Sequence, residues 1–308
     1  MATLNFEPIA LTPNLYQLGT PFFPVYLSVG KKAMIIEGGT SATFDIIISQ
    51  LAALKIDPQQ IEFVALTHSH ADHIGAYPRL RARWPHVKII AGAAASKTMG
   101  NGGMIKQFHW LDQTIAELMQ SRQAIVELPA PMDEWHFEVD VIVKEGDVID
   151  LGQGTKWMVY ETPGHSPCQL AFLEKNSGMM AIGDATGFYN PDRNAIWPNY
   201  FDGLDPYCDS IKKLAGLGAK GLVLSHNGFC PDANAFLAKA LRITGEYHQE
   251  MLERAGNGDD PAGIIAEKSK WVKEIADQMP LKIIQQLTGL LIKLSQKAGP
   301  RPEGYFIP

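Results

Sequence analysis

Six consecutive residues, His68-Ser69-His70-Ala71-Asp72-His73, hold three imidazoles and a carboxylate, and they follow directly on the short apolar run Ile61–Leu66. In an extended segment side chains alternate in direction, so His68 and His70 point the same way. Asp72 and His73 stand where the chain turns into a helix and aim at an adjacent point. A strand fixes the entry to this loop and a helix fixes its exit, the kind of mounting that a metal site requires. Three downstream segments offer the same chemistry beside small residues: Gly164-His165-Ser166, Gly183-Asp184 and Ser225-His226-Asn227-Gly228. Taken together these residues point to metal binding.

The pattern around them is that of an α/β layer fold. Strands are expected at Leu15–Leu18, Pro24–Val29 and Ala33–Glu37, then a helix capped by Thr40 or Ser41 and running to about Leu54. Ile61–Leu66 and Val87–Ala91 read as buried strands. A helix is expected from about His73 to Trp84, with Pro78 disturbing its first turn. Met104, Phe108, Leu111, Ile115 and Leu118 recur at helical spacing, so residues 104–122 read as an inserted amphipathic helix. Strands return at Val141–Lys144, Lys156–Glu161, Gln169–Leu173 and Met179–Ile182. A helix from Asp205 or Pro206 to Leu217 and a short strand Leu222–Leu224 precede His226. Residues 232–298 show only helical spacing, in three stretches divided by Gly256-Asn257-Gly258 and Pro280. The expected organisation is therefore a catalytic part over residues 1–230 and a helical cap over 231–308.

Composition narrows the function. A net charge of −6 over 308 residues gives no basic face for neutralising phosphates, which argues against nucleic acid. Cys168, Cys208 and Cys230 form no CxxC pair and no even framework, which fits a reducing compartment. The opening residues show no basic stretch followed by an apolar one, and no run approaches a membrane span. Leu281–Leu294 is interrupted by Lys282, Gln285, Gln286 and Lys293 and reads as an amphipathic helix. A cytoplasmic location without membrane partners is the expectation.

Other residues carry weaker signals. His86, His109, His136 and His248 lie outside the motif and read as ordinary histidines. Cys168, three residues after His165, reads as a small buried side chain near the pocket. Tyr189, Trp197 and Tyr200 read equally as an aromatic wall for an acyl group or as packing.

The HxHxDH segment, the GHS and GD segments and a final His before a helix, over about residues 14–230, resemble the metallo-β-lactamase superfamily. The resemblance implies a four-layer αββα sandwich with the site at one edge. It implies two divalent metal ions, Zn or Fe with Mn also suited. His68, His70 and His165 would hold one, Asp72, His73 and His226 the other, and Asp184 would bridge them. Asp72 would also be the catalytic carboxylate. The stretch Phe23–Leu27 through Ile36–Gly39, the inserted helix and the helical tail are similar to the quinolone-signal response thioesterase (PqsE) group, and more distantly to glyoxalase II. Both imply cleavage of a small-molecule thioester or related activated ester. Glu37 stands where many members have an Asp that supports a ligand. Alternatives stay open: an iron-dependent oxidoreductase of the persulfide dioxygenase kind, a lactone or phosphodiester hydrolase, or a regulatory binding protein. In the last case the C-terminal helices would serve as a homodimer or partner surface.

Overall fold

The computed structural model describes residues 6–132, 135 and 137–308. His136 and residues 1–5 lie outside them. The first sheet runs β1 (Ile9–Thr12), β2 (Leu15–Gly19), β3 (Pro24–Val29), β4 (Ala33–Ile36), β5 (Ile61–Ala65), β6 (Lys88–Gly92), β7 (Val141–Val143), in spatial as in chain order. Its first four strands are antiparallel and β4 to β7 are parallel. The parallel crossovers carry the helices α1 (Phe44–Ala53), α2 (Ala71–Ile74), α3 (Tyr77–Arg83), α4 (Ala93–Met99) and α5 (Gly102–Ser121). The second sheet is built from β8 (Val148–Gly152), β9 (Thr155–Glu161), β10 (Leu170–Glu174) and β11 (Met179–Ala181), and is completed by β14 (Gly221–Val223) and β15 (Phe229–Cys230). Between β11 and β14 lie the small hairpin β12 (Phe188–Asn190)–β13 (Ala195–Trp197) and helix α6 (Leu204–Ala215). Helices α7 (Ala233–Gly256), α8 (Pro261–Ile275) and α9 (Leu281–Ala298) follow.

Period-two alternation makes this a four-layer sandwich. In β4, Ala33 and Ile35 face the helices α1, α3 and α4, while Met34 and Ile36 face the second sheet. In β10, Leu170 and Phe172 face the first sheet, while Ala171 and Leu173 face α6 and the tail helices. Strands apolar on both sides are what a doubly covered sheet demands, and β4 reads Ala-Met-Ile-Ile. Trp157 donates from its indole Nε1 to Ser28 Oγ at 2.9 Å across the inter-sheet layer. The tail helices share one apolar cluster with α6, through Phe236, Leu241, Met251, Val272, Ile284 and Leu291 against Tyr207, Ile211 and Leu214. They therefore form part of the outer layer. No helix among the described residues is long and apolar enough to cross a membrane.

The strands and helices expected from spacing are present within a few residues, and four details differ. The helix expected from His73 to Trp84 is two helices, broken at Gly75-Ala76, with Pro78 in the first turn of the second, where its missing N–H costs nothing. Neither Thr40 nor Ser41 caps with its side chain; residues 41–43 form a 3-10 turn ahead of α1. The Ser41 hydroxyl instead donates to Asp112 on α5. Glu37 is not the last residue of its strand, because it turns to φ +75. Strands β1, β8, β12, β13 and β15 and helix α4 are too short, or too mixed in polarity, for spacing to announce them.

Asp112 ties the inserted helix to the frame. Both Ser41 N–H, at 2.8 Å, and Ser41 Oγ donate to its carboxylate, which is buried. Burial pushes its pKa up to about 6, against the opposing pull of Ser41 and Arg79. The folded chain thus binds this proton more tightly than the unfolded one. The contribution to stability is present below the unfolded carboxyl range and is lost as pH rises through about 6. Thermal unfolding of Asp112→Asn should show a flatter pH dependence between pH 4 and 7 than the parent chain. Asp112→Ala, which leaves the Ser41 donors unpaired, should lose about 1–3 kcal/mol at pH 7.

Candidate metal centre

Every segment that the sequence singled out ends at the same edge of the sandwich. His68 follows β5, Asp184 follows β11 and His226 follows β14, while His165 lies in the turn from β9 to β10. Two backbone positions make the approach feasible. Gly164 has φ +127, and a Cβ there would lie 2.2 Å from the backbone of Tyr207. Gly183 has φ +54, and a Cβ would lie 2.0 Å from Gln169 Nε2 and 2.8 Å from Thr67 Oγ1. Only glycine allows His165 and Asp184 to come this close.

The seven side chains form overlapping groups. His68, His70 and His165 offer one set of ligand atoms and Asp72, His73 and His226 another, while Asp184 groups with His68 and His73. His70 Nδ1 lies 3.1 Å from His68 Nε2 and 2.9 Å from His165 Nε2. His226 Nε2 lies 3.6 Å from Asp72 Oδ2 and 3.6 Å from Asp184 Oδ1. His73 Nε2 lies 3.6 Å from Asp72 Oδ2 and 3.7 Å from Asp184 Oδ2, and that same Oδ2 lies 3.5 Å from His165 Nε2. Ligands about 2.1 Å from a common ion stand roughly 3.0–3.4 Å apart in octahedral or tetrahedral geometry, so these separations are close to the edges of a coordination polyhedron. The buried Nε2 atoms of His73 and His226 have no hydrogen-bond partner. Buried polar atoms are normally satisfied, and two orphaned imidazole nitrogens facing carboxylates fit a cation between them.

The outward nitrogens set the tautomers. His165 Nδ1–H donates to the Asn199 carbonyl at 3.1 Å and His226 Nδ1–H to the Phe22 carbonyl at 2.9 Å. His73 Nδ1–H donates to Glu37 Oε2 at 3.2 Å. The Thr67 hydroxyl donates to Glu37 Oε1 at 2.7 Å, which leaves it free to accept from His68 Nδ1–H at 3.0 Å. Ser225 Oγ donates to the same Glu37 oxygen at 2.5 Å. In the neutral ring each arrangement turns an Nε2 lone pair inward. His70 differs in presenting Nδ1.

Electrostatics agree with this reading. Burial, with the neighbouring histidines adding to it, holds His68 and His165 well below the usual histidine range. Burial likewise takes His70 down to about 4, despite the opposing effect of Asp72. These three imidazoles are neutral at pH 7, the form in which a histidine can bind a metal. Burial works to lower His73 too, but Asp72, Asp184 and Glu37 together raise it to about 10. Burial would raise Asp72, yet His73, His226 and His70 hold it below the ordinary carboxylate range. Burial raises Asp184. A pocket of carboxylates that keeps a proton on one imidazole is a pocket short of positive charge.

The remaining residues have plainer places. Cys168 is buried, with its Sγ 3.4 Å from Ser69 Oγ. His86 lies 3.2 Å from the Pro58 carbonyl, His248 lies 2.9 Å from the Gly299 carbonyl, and His109 packs on Trp135. Trp197 and Tyr200 are fully buried, Tyr200 bonding Ser295 Oγ at 2.7 Å, and Tyr189 packs on Phe236. The aromatic wall near the site is made by their neighbours Phe188 and Phe201, with Phe22 and Phe23. Phe188 stacks on His226 at 4.0 Å. Spacing gave no sign of these four, because they come from loops and a three-residue strand.

A fold of two covered sheets with a His/Asp cluster at one edge defines a metallo-hydrolase class. The chain belongs to the metallo-β-lactamase superfamily, whose profile matches residues 24–226. A probable metallo-hydrolase of Bacillus subtilis, YflN, is 22% identical over 226 residues, which is 68% of this chain and 81% of that protein. An archaeal metallo-β-lactamase superfamily protein from Sulfolobus tokodaii has a similar structure. Its TM-score is 0.57 at 19% identity, covering 75% of this chain and 86% of that one. A metallo-β-lactamase of Cronobacter sakazakii has a TM-score of 0.58 at 19% identity, covering 80% and 96%. At these identities the structures share the fold.

Glu37→Gln should weaken metal retention about 10–100-fold, read by competition with a chelator, because it removes the charge that orients His73 and His68. Unchanged retention would show that Glu37 serves packing alone.

Proposed function

We propose that this chain hydrolyses a thioester or related activated ester at a two-metal centre. His68, His70 and His165 would hold one ion, Asp72, His73 and His226 the second, and Asp184 would lie between them. The observation that supports it best is the convergence of these seven side chains on one another, with His70, Asp72, His165 and Asp184 lining a cavity of about 620 Å³ between α5 and the segment 278–290. The set contains no thiolate, so Zn and Fe suit it, and Mn as well. Such ions, when bound, lower the pKa of a shared water and polarise a carbonyl.

The chain's own residues supply the rest. Asp72 lines the cavity, and its side chain is 14% exposed where that of Asp184 is 4%. It accepts a hydrogen bond from the attacking water and passes the proton to the leaving group. A thiolate needs little such help, which is why thioesters suit this site. The phenylalanines beside His165 and His226 keep bulk water from the reacting carbonyl. The likeness to the quinolone-signal response thioesterases and glyoxalase II supports a thioester. A hydroxyacylglutathione hydrolase of a Synechococcus strain is 33% identical over 60 residues, 19% of this chain and 24% of that protein.

An iron-dependent oxidoreductase is the second reading, favoured by a flavo-diiron protein of Clostridium acetobutylicum that is 32% identical over 79 residues. That match covers 26% of this chain and a fifth, 20%, of the relative. The flavodiiron pattern carries Glu at the position held here by His70, which weighs towards hydrolysis.

Purified protein should contain up to two equivalents of divalent metal and lose thioester turnover on chelation, with recovery on reloading. His68→Ala and Asp184→Ala should lose both metal and rate. Asp72→Asn should lose about 10²–10⁴ in kcat. Wild-type metal content and rate in the first two variants would overturn the assignment, and oxygen uptake by the iron form would favour the second reading.

A further inference from the structure

The cavity that ends on the metal ligands is built for one kind of acyl group. Its floor is closed by Phe22, Phe188 and Phe201, and its walls are Leu111 of α5 and Ile283 and Leu287 of α9, among others. The lining on α5 spans Gln107 to Ile115 and that on α9 spans Ile283 to Leu290. At 1.5 Å per helical residue each wall is about 10–12 Å long, enough to flank an extended acyl chain. Among the described residues no Lys or Arg lines it, and its only carboxylates are Asp72 and Asp184 at the floor. Its other polar groups are His70 and His165 beside those carboxylates, the Trp110 indole and the neutral amides Gln107, Gln278 and Gln286, and the buried Oε1 of Gln278 has no partner.

α9 is shaped for this use. One of its faces, with Ile284, Thr288, Leu291, Ile292 and Ser295, is buried in the outer layer. A second apolar stripe, Ile283, Leu287 and Leu290, at spacings of four and three, is only half-buried and belongs to the cavity. Leu287 packs in part against the outer-layer cluster, and the stripe as a whole leaves apolar surface facing the cavity, where a ligand could cover it.

We propose that the substrate is an ester or thioester of an elongated, uncharged, apolar acyl group lying between α5 and α9 with its carbonyl at the metal floor. This rests on the hydrolytic reading above. A β-lactam or an acylglutathione carries a carboxylate, and within this cavity that charge would meet no cation beyond the metal ions. An uncompensated buried charge is strongly unfavourable, whereas each methylene laid along the walls gains binding.

The test uses metal-loaded full-length protein and neutral thioesters of N-acetylcysteamine. The acyl groups are butyryl, octanoyl and dodecanoyl, together with an octanoyl group carrying a terminal carboxylate. The expected kcat/KM rises about two- to fourfold per methylene from butyryl to octanoyl. It falls at least tenfold when the terminal carboxylate is added. Leu287→Lys and, separately, Ile283→Lys should shrink or invert that last preference. Equal turnover of short, long and carboxylated chains would overturn the proposal while leaving hydrolysis intact. Calorimetric titration with the matching N-alkyl amides reads the cavity without turnover. Chain-length-dependent binding, weakened by Leu287→Lys, with no thioester cleaved, would keep the acyl pocket and remove the hydrolytic reading. Binding indifferent to chain length would remove the acyl pocket.

Discussion

The carboxylate of Glu37 is the knot on which the centre depends. It lies at the end of β4 in the left-handed region, φ +75, and is buried. That conformation costs a non-glycine residue of order 1–3 kcal/mol and persists only where surroundings hold it. Here they do: Thr67, His73 and Ser225 all bond to its two oxygens. These partners come from the end of β5, from α2 and from the end of β14. One carboxylate thus connects three of the loops that deliver ligands and joins the two sheets at the edge where the site lies. Shortening it to Asp would require the backbone or the partners to approach by about one methylene.

The sandwich supplies what the knot needs. Parallel strands β4, β5 and β6 end their chains at the same edge, and β11 and β14, parallel in the other sheet, do likewise. Tyr26 reaches across the layer, its hydroxyl donating between the Leu224 and Gly228 carbonyls at 2.5 and 2.9 Å, and so fixes the turn that carries His226. Rigid strands on both sides hold the loops. The ligands are pre-placed, and the positive charge they lack is the part left to the ions.

Most of this frame was legible in the sequence because burial on both faces leaves plain apolar runs, as in Ile61–Leu66, and because helices carry long periodic patterns, as in α5 and the tail. All seven ligand candidates stood beside glycine, serine or one another, so local chemistry announced them. What spacing does not announce has a common physical character. Glu37 stands out only through the family resemblance, and the partners it joins stand 30, 36 and 188 residues away. Phe22, Phe188 and Phe201 lie on loops or a three-residue strand with no period to detect. Tyr189, Trp197 and Tyr200 sit next to the residues that form the wall, yet they point into the outer layer or away from the cavity. Tyr189 alternates with Phe188 along β12, where a shift of one residue exchanges the two faces, whereas Trp197 pairs with Phe188 and is fully buried beside it.

The division of labour between frame and walls explains where specificity resides. The metal edge is over-determined: His68, His73 and His226 are tied to Glu37 through Thr67, directly and through Ser225, and His165 and Asp184 stand beside glycines in close contact. The walls are not. α5 is held to the frame by Asp112 and by one buried face with Phe108, Ile115 and Met119, and α9 by its own buried face, while Ile283, Leu287 and Leu290 are half-buried and line the cavity. Substitutions on those positions change the shape and charge of the space without disturbing the centre beneath it. On the proposed reading, the choice of acyl group would be set by α5 and α9 and the reaction by the loops at the ends of the strands.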